Sequence, residues 1–344
     1  MLDYLTFVSL RSHFAETNLI SLSLSQLADF VCKLRCRNLY CGIFVISLEI
    51  RRQICYHIIT LNRMEIIMEF VEVVNQNQHL QGFTKGNGFM YWSFTDSLVK
   101  TNLNNTVKCQ VEIHGGHLGD CDYHDGKIYA SYLQNSLPGH AWEDWTGFKI
   151  YVFAADDLRV LNVINLDICD YYKSITCTPE DTRGFQGIDG VAIAPDPISG
   201  EDKLFVACAL YTGEKYSNQI ILQFTLDGAY ETEYHIPTGN TVFGIQNLDY
   251  DAENKEFWFT TYGPCEAYQP KELLYCISGD LKEIKRKYCF STPYGIECLG
   301  KEGFYASYQY GKNGSRGGVA YRCEESLFEN SISEAEVEAF IRGK

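Results

Sequence analysis

The sequence predicts an all-β fold, a five-bladed β-propeller of four-stranded antiparallel blades. Three observations predict it: a glycine-led phrase recurs five times, hairpin-turn residues follow each occurrence, and the composition favours strands. The 344 residues include 24 Tyr and 20 Phe, with 46% hydrophobic and 21% charged residues. Aromatic side chains suit half-buried pleated surfaces, and the balance of apolar and charged residues is that of a globular chain.

The elements follow in order. Residues 1–67 form a non-propeller N-terminal extension, with seven Lys/Arg against five Asp/Glu, whereas residues 68–344 carry 22 against 39. This early segment lacks the Gly and Asn-Gly punctuation of the rest. Its longest apolar run, Leu39 to Leu48, is half the roughly 20 residues a membrane span needs. No basic stretch precedes an apolar one at the start, so a signal peptide is not expected. Three readings are open: a helical extension, a poorly structured tail, or translated sequence upstream of a natural start at Met64 or Met68. The compositional break beside two in-frame methionines favours the last.

The propeller domain spans 68–344. Its first strand-like run, Phe70-Val71-Glu72-Val73-Val74, is placed to close the ring against the last blade. The five phrases open at Gly82, Gly119, Gly187, Gly244 and Gly295, spaced 37, 68, 57 and 51 residues apart. Each leads through a turn into a β run, as in Gly119-Asp120-Cys121-Asp122-Tyr123 followed by Lys127-Ile128-Tyr129-Ala130-Ser131. The turns Gly86-Asn87-Gly88 and Asp125-Gly126 supply residues that accept positive φ. Two further strand-like runs per unit, such as Gln219 to Phe224 and Tyr230 to Tyr234, make four strands. Units that cannot bury both faces alone pack around an axis. The two long spacings carry insertions, Gln134 to Gly147 and Asp170 to Gly184. A short C-terminal helix is expected where Ser333 and Glu336 form a capping box, with Ile332 stapling on Val337.

Ligand sites of propellers lie on the axis, where the innermost strands begin. If each repeat glycine opens that strand, Thr84, Cys121, Asp189, Gln246 and Glu297 are equivalent. Converging oxygens of Asp189, Gln246 and Glu297 are what Ca²⁺ or another divalent cation prefers, and paired carboxylates suit acid–base work on a sugar. The competing reading is that such acids accept neighbouring backbone N–H groups and tie blades together. Gln81 and Gln186 precede repeat glycines and present amides. His117 and Asp120 sit at the rim of the second blade. Arg316, in a Gly-rich loop of the last blade, suits an anionic group of a ligand. That loop fits no phosphate-loop pattern, and no H-E-x-x-H occurs.

These phrases resemble the broad superfamily of bacterial propellers with NHL-type, gluconolactonase-like and glutaminyl-cyclase-like layouts, over about residues 70–330. Leu80-Gln81-Gly82-Phe83 is similar to the Gln-Gly opening strand of the glutaminyl-cyclase-like group. Glu297, Gln246 and Asp189 resemble in kind the axial metal ligands of gluconolactonase-like enzymes. No catalytic residue is carried across, since later blades do not match motif by motif.

The formal net charge of −15 disfavours a nucleic-acid partner. Fourteen cysteines are scattered singly without a CxxC pair, which fits buried free thiols in a reducing, cytoplasmic setting better than disulfides or zinc. The expected function is binding of a small polar ligand at the axis by a monomer. Metal-assisted hydrolase or lyase activity on a carbohydrate derivative is one extension. The alternatives are a non-enzymatic scaffold with a protein partner and a glutaminyl-cyclase-like enzyme. No membrane association is expected.

Overall fold

The computed structural model describes residues 69–135, 145–166, 185–210, 218–238, 244–261 and 273–329. The N-terminal extension, the tip of the first insertion, the whole of the second and the expected C-terminal helix lie outside the described residues.

Hairpin chemistry dictates the local structure. Asn87 and Gly88 have φ of 50° and 78°, and Asp125 and Gly126 have 46° and 74°. Positive φ at both central residues matches the twist of the flanking strands. The first hairpin joins strands β2 (Leu80–Gly86) and β3 (Phe89–Phe94), and the sheet continues with β4 (Ser97–Asn102) and β5 (Val107–Glu112). Blade 2 comprises β6 (Gly116–His124), β7 (Lys127–Asn135), β8 (Trp145–Ala154) and β9 (Val160–Asn165). Blade 3 comprises β10 (Phe185–Pro195), β11 (Asp202–Leu210), β12 (Gln219–Phe224) and β13 (Tyr230–Ile236). Blade 4 comprises β14 (Ile245–Asp251), β15 (Glu256–Thr261), β16 (Leu274–Ser278) and β17 (Ile284–Tyr288). In blade 5, β18 (Ile296–Cys298), β19 (Phe304–Tyr310) and β20 (Arg316–Cys323) are completed by β1 (Phe70–Gln76). The chain is a five-bladed β-propeller.

β1 pairs antiparallel with β20, Phe70 opposite Tyr321 and Val73 opposite Gly318. The first described strand therefore closes the last blade, as its position in the sequence predicts. Closure removes the exposed β20 edge on which another chain would pair.

The core lies in the seams between blades. Tyr91, Leu98 and Ile113 of blade 1 pack on Leu118, Ile128 and Phe153 of blade 2. Trp258 and Leu274 of blade 4 pack on Phe304, Tyr321 and Phe328 beyond them. Val71, Val73 and Tyr305 pack on Phe83, Trp92 and Val99, joining blade 5 to blade 1. Trp92, Trp258, Tyr91, Tyr275, Tyr305 and Tyr321 are fully buried, which is where the aromatic wealth of the composition is used. One cation enters a seam: the buried Lys100 Nζ donates to the carbonyls of Ala155 (2.8 Å) and Asp156 (2.9 Å) and lies 4.0 Å from the Phe89 ring centroid. Charge-assisted bonds and ring contact replace the water it loses. Among the described residues no helix is long and apolar enough to cross a membrane.

Strand direction sorts the connections. Each innermost strand starts at one end of the axis, and the hairpin turns after it lie at the other. Ends of β7, β9, β11, β13 and β15 return to the starting end, and from them the longer connections leave. Short turns close the opposite end. Long connections on a rigid scaffold are where binding residues concentrate.

Candidate functional site at the mouth of the axis

Below the mouth, the axis is filled by the protein itself. Asp120 on β6 is buried, and its Oδ2 accepts the backbone N–H of Val191 (3.2 Å) on β10 and of Leu248 (3.0 Å) on β14. Its Oδ1 accepts Asn247 Nδ2 (3.0 Å), which also donates to the Gln81 carbonyl (2.7 Å) on β2. Asn247 Oδ1 accepts Thr260 Oγ1 (2.9 Å). Asp120 and Asn247 thus tie four blades together. The crossing is open because position 82 is glycine: a Cβ there would overlap Asp120 Oδ1 and sit 2.9 Å from Asp120 Cα. Asp189 accepts the Asp120 N–H on Oδ1 (3.3 Å), and its carbonyl accepts Ser131 Oγ (2.5 Å).

A second ring of ties lies deeper. Thr84 Oγ1 accepts Tyr123 N–H (3.1 Å), Asp122 Oδ2 accepts Ile193 N–H (2.6 Å), and Asp249 Oδ2 accepts Cys298 N–H. Glu297 accepts from Thr84 and from the Lys85 N–H, completing the circuit back to blade 1. In blade 3 the matching residue is Ala192, and the Tyr250 N–H bonds instead to Asp249 Oδ1 (2.8 Å). Acids at the starts of inner strands therefore do tie blades, the competing reading of the sequence.

These ties fix which positions are rotationally equivalent: Thr84, Asp122, Ala192, Asp249 and Glu297. Counting two residues from each repeat glycine instead brings together Thr84, Cys121, Asp189, Gln246 and Glu297. The counts disagree because the phrase glycines are not equivalent: Asp120, Gly190 and Asn247, not Gly119, Gly187 and Gly244, stand where Gly82 does, and the bulge beside that position recurs in β2, β6, β10 and β14. One extra residue in a strand is a bulge's defining feature. Asp189 and Gln246 consequently stand nearer the mouth than Glu297, and the three do not share a level. Among the described residues no group of three or more His, Cys, Asp or Glu is arranged to hold a metal ion.

Burial pushes the carboxyls of Asp120, Asp122, Asp189, Asp249 and Glu297 above the usual range. For Glu297 the neighbouring charges of Asp249 and Asp122 push the same way, and for Asp122 that of Asp249 does. The N–H donors oppose the shift without cancelling it.

At the mouth the sequence candidates Gln81, His117 and Arg316 come together around His79, a residue outside the repeated phrase. His79 Nδ1 lies 2.8 Å from the Leu80 carbonyl and 3.3 Å from Gln81 Nε2, and the shorter contact, to an oxygen that can only accept, takes an Nδ1–H. The lone pair of the neutral ring is then on Nε2. Gln81 Nε2 donates to Thr95 Oγ1 (2.9 Å). The Tyr294 ring meets the His79 ring edge-on at 5.1 Å between centroids. Burial and the Arg316 charge lower the His79 pKa, and burial with the His79 charge lowers that of His117 to about 4. Both imidazoles are neutral at pH 7, leaving Arg316 as the cation of the group. Its Nε donates to Asn313 Oδ1 (2.8 Å) in the same loop. Gln246 is buried on β14 near this end, whereas the Gln186 side chain lies outside the description.

No protein-family model and no curated protein matches the chain. Solved structures similar to it include a glutaminyl cyclase from Myxococcus xanthus, 10% identical, with a TM-score of 0.39 over 75% of this chain and all of that one. A β-1,3-galactosidase of family GH43 is 14% identical, with a TM-score of 0.44 over 71% of this chain and 90% of that one. An exo-β-1,3-galactanase from Clostridium thermocellum is 12% identical, with a TM-score of 0.43 over 72% and 61%. Values of this size assign no activity.

Proposed function

We propose that this propeller binds a small, hydroxylated and anionic molecule, such as a sugar acid, at the mouth formed by His79, Gln81, His117 and Arg316. The observation that carries this is the pairing of a neutral imidazole, its proton held by the Leu80 carbonyl, with an arginine at the same opening. A lone pair at His79 Nε2 accepts from a ligand hydroxyl, and Arg316 attracts a carboxylate. The mouth also faces the end from which the long connections leave.

A divalent cation is not part of this reading. Ca²⁺ takes roughly six to eight oxygens. Asp189, Gln246 and Glu297 do not share a level, and the Asp189 and Glu297 carboxyls are engaged by N–H or O–H donors. The residues do not fit the ion, and no step runs through one.

Titration calorimetry with glucuronate, glucose and glucono-δ-lactone tests the proposal. Glucuronate is expected to bind saturably and at least about tenfold more tightly than glucose, as one charge-assisted bond of about 1.5–3 kcal/mol implies. Arg316→Gln should bring the two together, and a chelator should change neither. Turnover of the lactone, lost in His79→Ala, would make the site an enzyme with His79 as general base. Glucuronate binding no tighter than glucose, or binding unmoved by Arg316→Gln, would sink the assignment.

A further inference from the structure

Gln309 stands near the end of β19, where that strand returns to the mouth. Its Oε1 accepts the backbone N–H of Leu80 at 2.6 Å, across the seam from blade 5 to blade 1. A backbone N–H can only donate, so the side-chain amide has one orientation, with Oε1 on Leu80 and Nε2 turned away from it. Gln309 is half-buried, and its Nε2 bonds to none of the described residues and is not sealed from solvent. The tie between the blades uses the oxygen alone and leaves both amide N–H groups open to a further partner.

The sheet register brings those donors to Arg316. Gln309 pairs with Gly318, and Arg316 lies two residues before Gly318 on β20. Alternation along the strands puts Gln309 and Arg316 on one face of the blade as diagonal neighbours, a spacing of about 7–8 Å that long side chains span. Gly318, opposite Gln309, places no side chain between them. That face is turned to blade 1, since a Cβ at position 318 would lie 2.9 Å from Leu80 Cδ2. Arg316 uses its Nε on Asn313 Oδ1, and its two Nη groups bond to none of the described residues. His79, the residue before Leu80, feels the Arg316 charge. One opening therefore holds a guanidinium, a donor amide beside it and the lone pair of His79 Nε2.

The chemistry of these groups separates the two ends of a ligand. A hydroxyl donates to His79 Nε2. A carboxylate offers two oxygens with about four lone-pair sites, more than a guanidinium fork fills, so it can take a further N–H from an amide. We propose that Gln309 is a further binding residue of the mouth, donating from Nε2 to the carboxylate that Arg316 attracts. This rests on the function proposed above and states how the site holds the acid group.

The test joins calorimetry to the ¹H–¹⁵N spectrum of the full chain at pH 8, where His79 is neutral. Gln309→Glu assigns the Gln309 side-chain amide by its loss. The same substitution keeps an oxygen for the Leu80 N–H and exchanges the donors for an acceptor. Glucuronate is expected to move the Gln309 amide signals saturably, with the midpoint that calorimetry gives, whereas glucose leaves them in place. In Gln309→Glu, glucuronate should bind at least about tenfold more weakly and glucose within about threefold of the parent, as loss of one charge-assisted bond implies. Glucuronate binding that depends on Arg316 while the Gln309 signals stay still, or that survives Gln309→Glu, overturns this inference and leaves the proposed function standing. Glucuronate that does not bind at all removes both.

Discussion

A Cβ at position 82 would enter the space taken by the Asp120 carboxylate, so the two residues act as one unit. Asp120 collects donors from blades 3 and 4, and the missing side chain of Gly82 lets it lie across the axis. Asp120→Ala should cost about 3–5 kcal/mol, because it leaves buried N–H groups of Val191 and Leu248 and the Asn247 amide without an acceptor. Gly82→Ala should cost about 2–4 kcal/mol by displacing the same carboxylate. Contacting residues couple. The double variant should therefore be less destabilised than the sum by at least about 1 kcal/mol in urea denaturation. Full additivity would show that the two positions act separately. Gly82 is also the glycine of the Gln-Gly phrase that resembles the glutaminyl-cyclase-like group. Its local cause is this crossing, which any propeller with an acid at position 120 would need.

At the scale of the element, β1 decides whether the ring closes. Val71 and Val73 are buried in the seam between blades 5 and 1, whereas Val74 on the same strand is 44% exposed. Val71→Asp puts an unpaired carboxylate into that seam and should cost more than about 3 kcal/mol. Losing β1 would also uncover β20, so aggregation on size-exclusion chromatography is the expected companion of the lower melting temperature. Val74→Asp should change stability by no more than about 0.5 kcal/mol. Equal effects of the two would mean that β1 does not seal the seam. The strand was legible in the sequence, as were the five blades, because turns with positive φ demand Asn, Asp or Gly. The phrase glycines do not mark one structural position, since Gly190 and not Gly187 matches Gly82, so the equivalence of Cys121, Asp189 and Gln246 with Thr84 and Glu297 was misjudged by one to three residues. His79 escaped notice for a related reason: it has no repeated counterpart, and only the folded mouth brings it to Gln81, His117 and Arg316.

Across the whole molecule, five acids around one axis, two of them buried and three half-buried, link stability to pH. Burial raises Asp120, Asp122, Asp189, Asp249 and Glu297 above their ordinary values, so the folded state holds protons that the unfolded chain has released. Their contribution is complete below about pH 4 and is lost as pH rises through the folded-state values. The histidines act in the opposite sense. His79 and His117 are lowered, so their contribution is complete above about pH 6.5 and falls as pH drops, for His117 through about 4. Half-buried acids such as Asp196, lowered to about 2 chiefly by the Ser199 N–H, likewise contribute above about pH 4. Above pH 7 these latter groups are constant, but buried thiols such as Cys121 and Cys208, also pushed up by burial, act in the same sense as the axial acids near their unfolded value of about 8.5. The melting temperature is expected to fall as pH rises above neutrality, and the axial share of the fall is read from the variants. Glu297→Gln keeps the shape of a protonated acid while removing its titration, and should flatten the fall. Glu283→Gln removes one charge from an exposed position and separates this effect from the net charge of −15. A slope unchanged in Glu297→Gln, or flattened equally in Glu283→Gln, would show that the whole-molecule charge sets the pH dependence and that the axial ring does not.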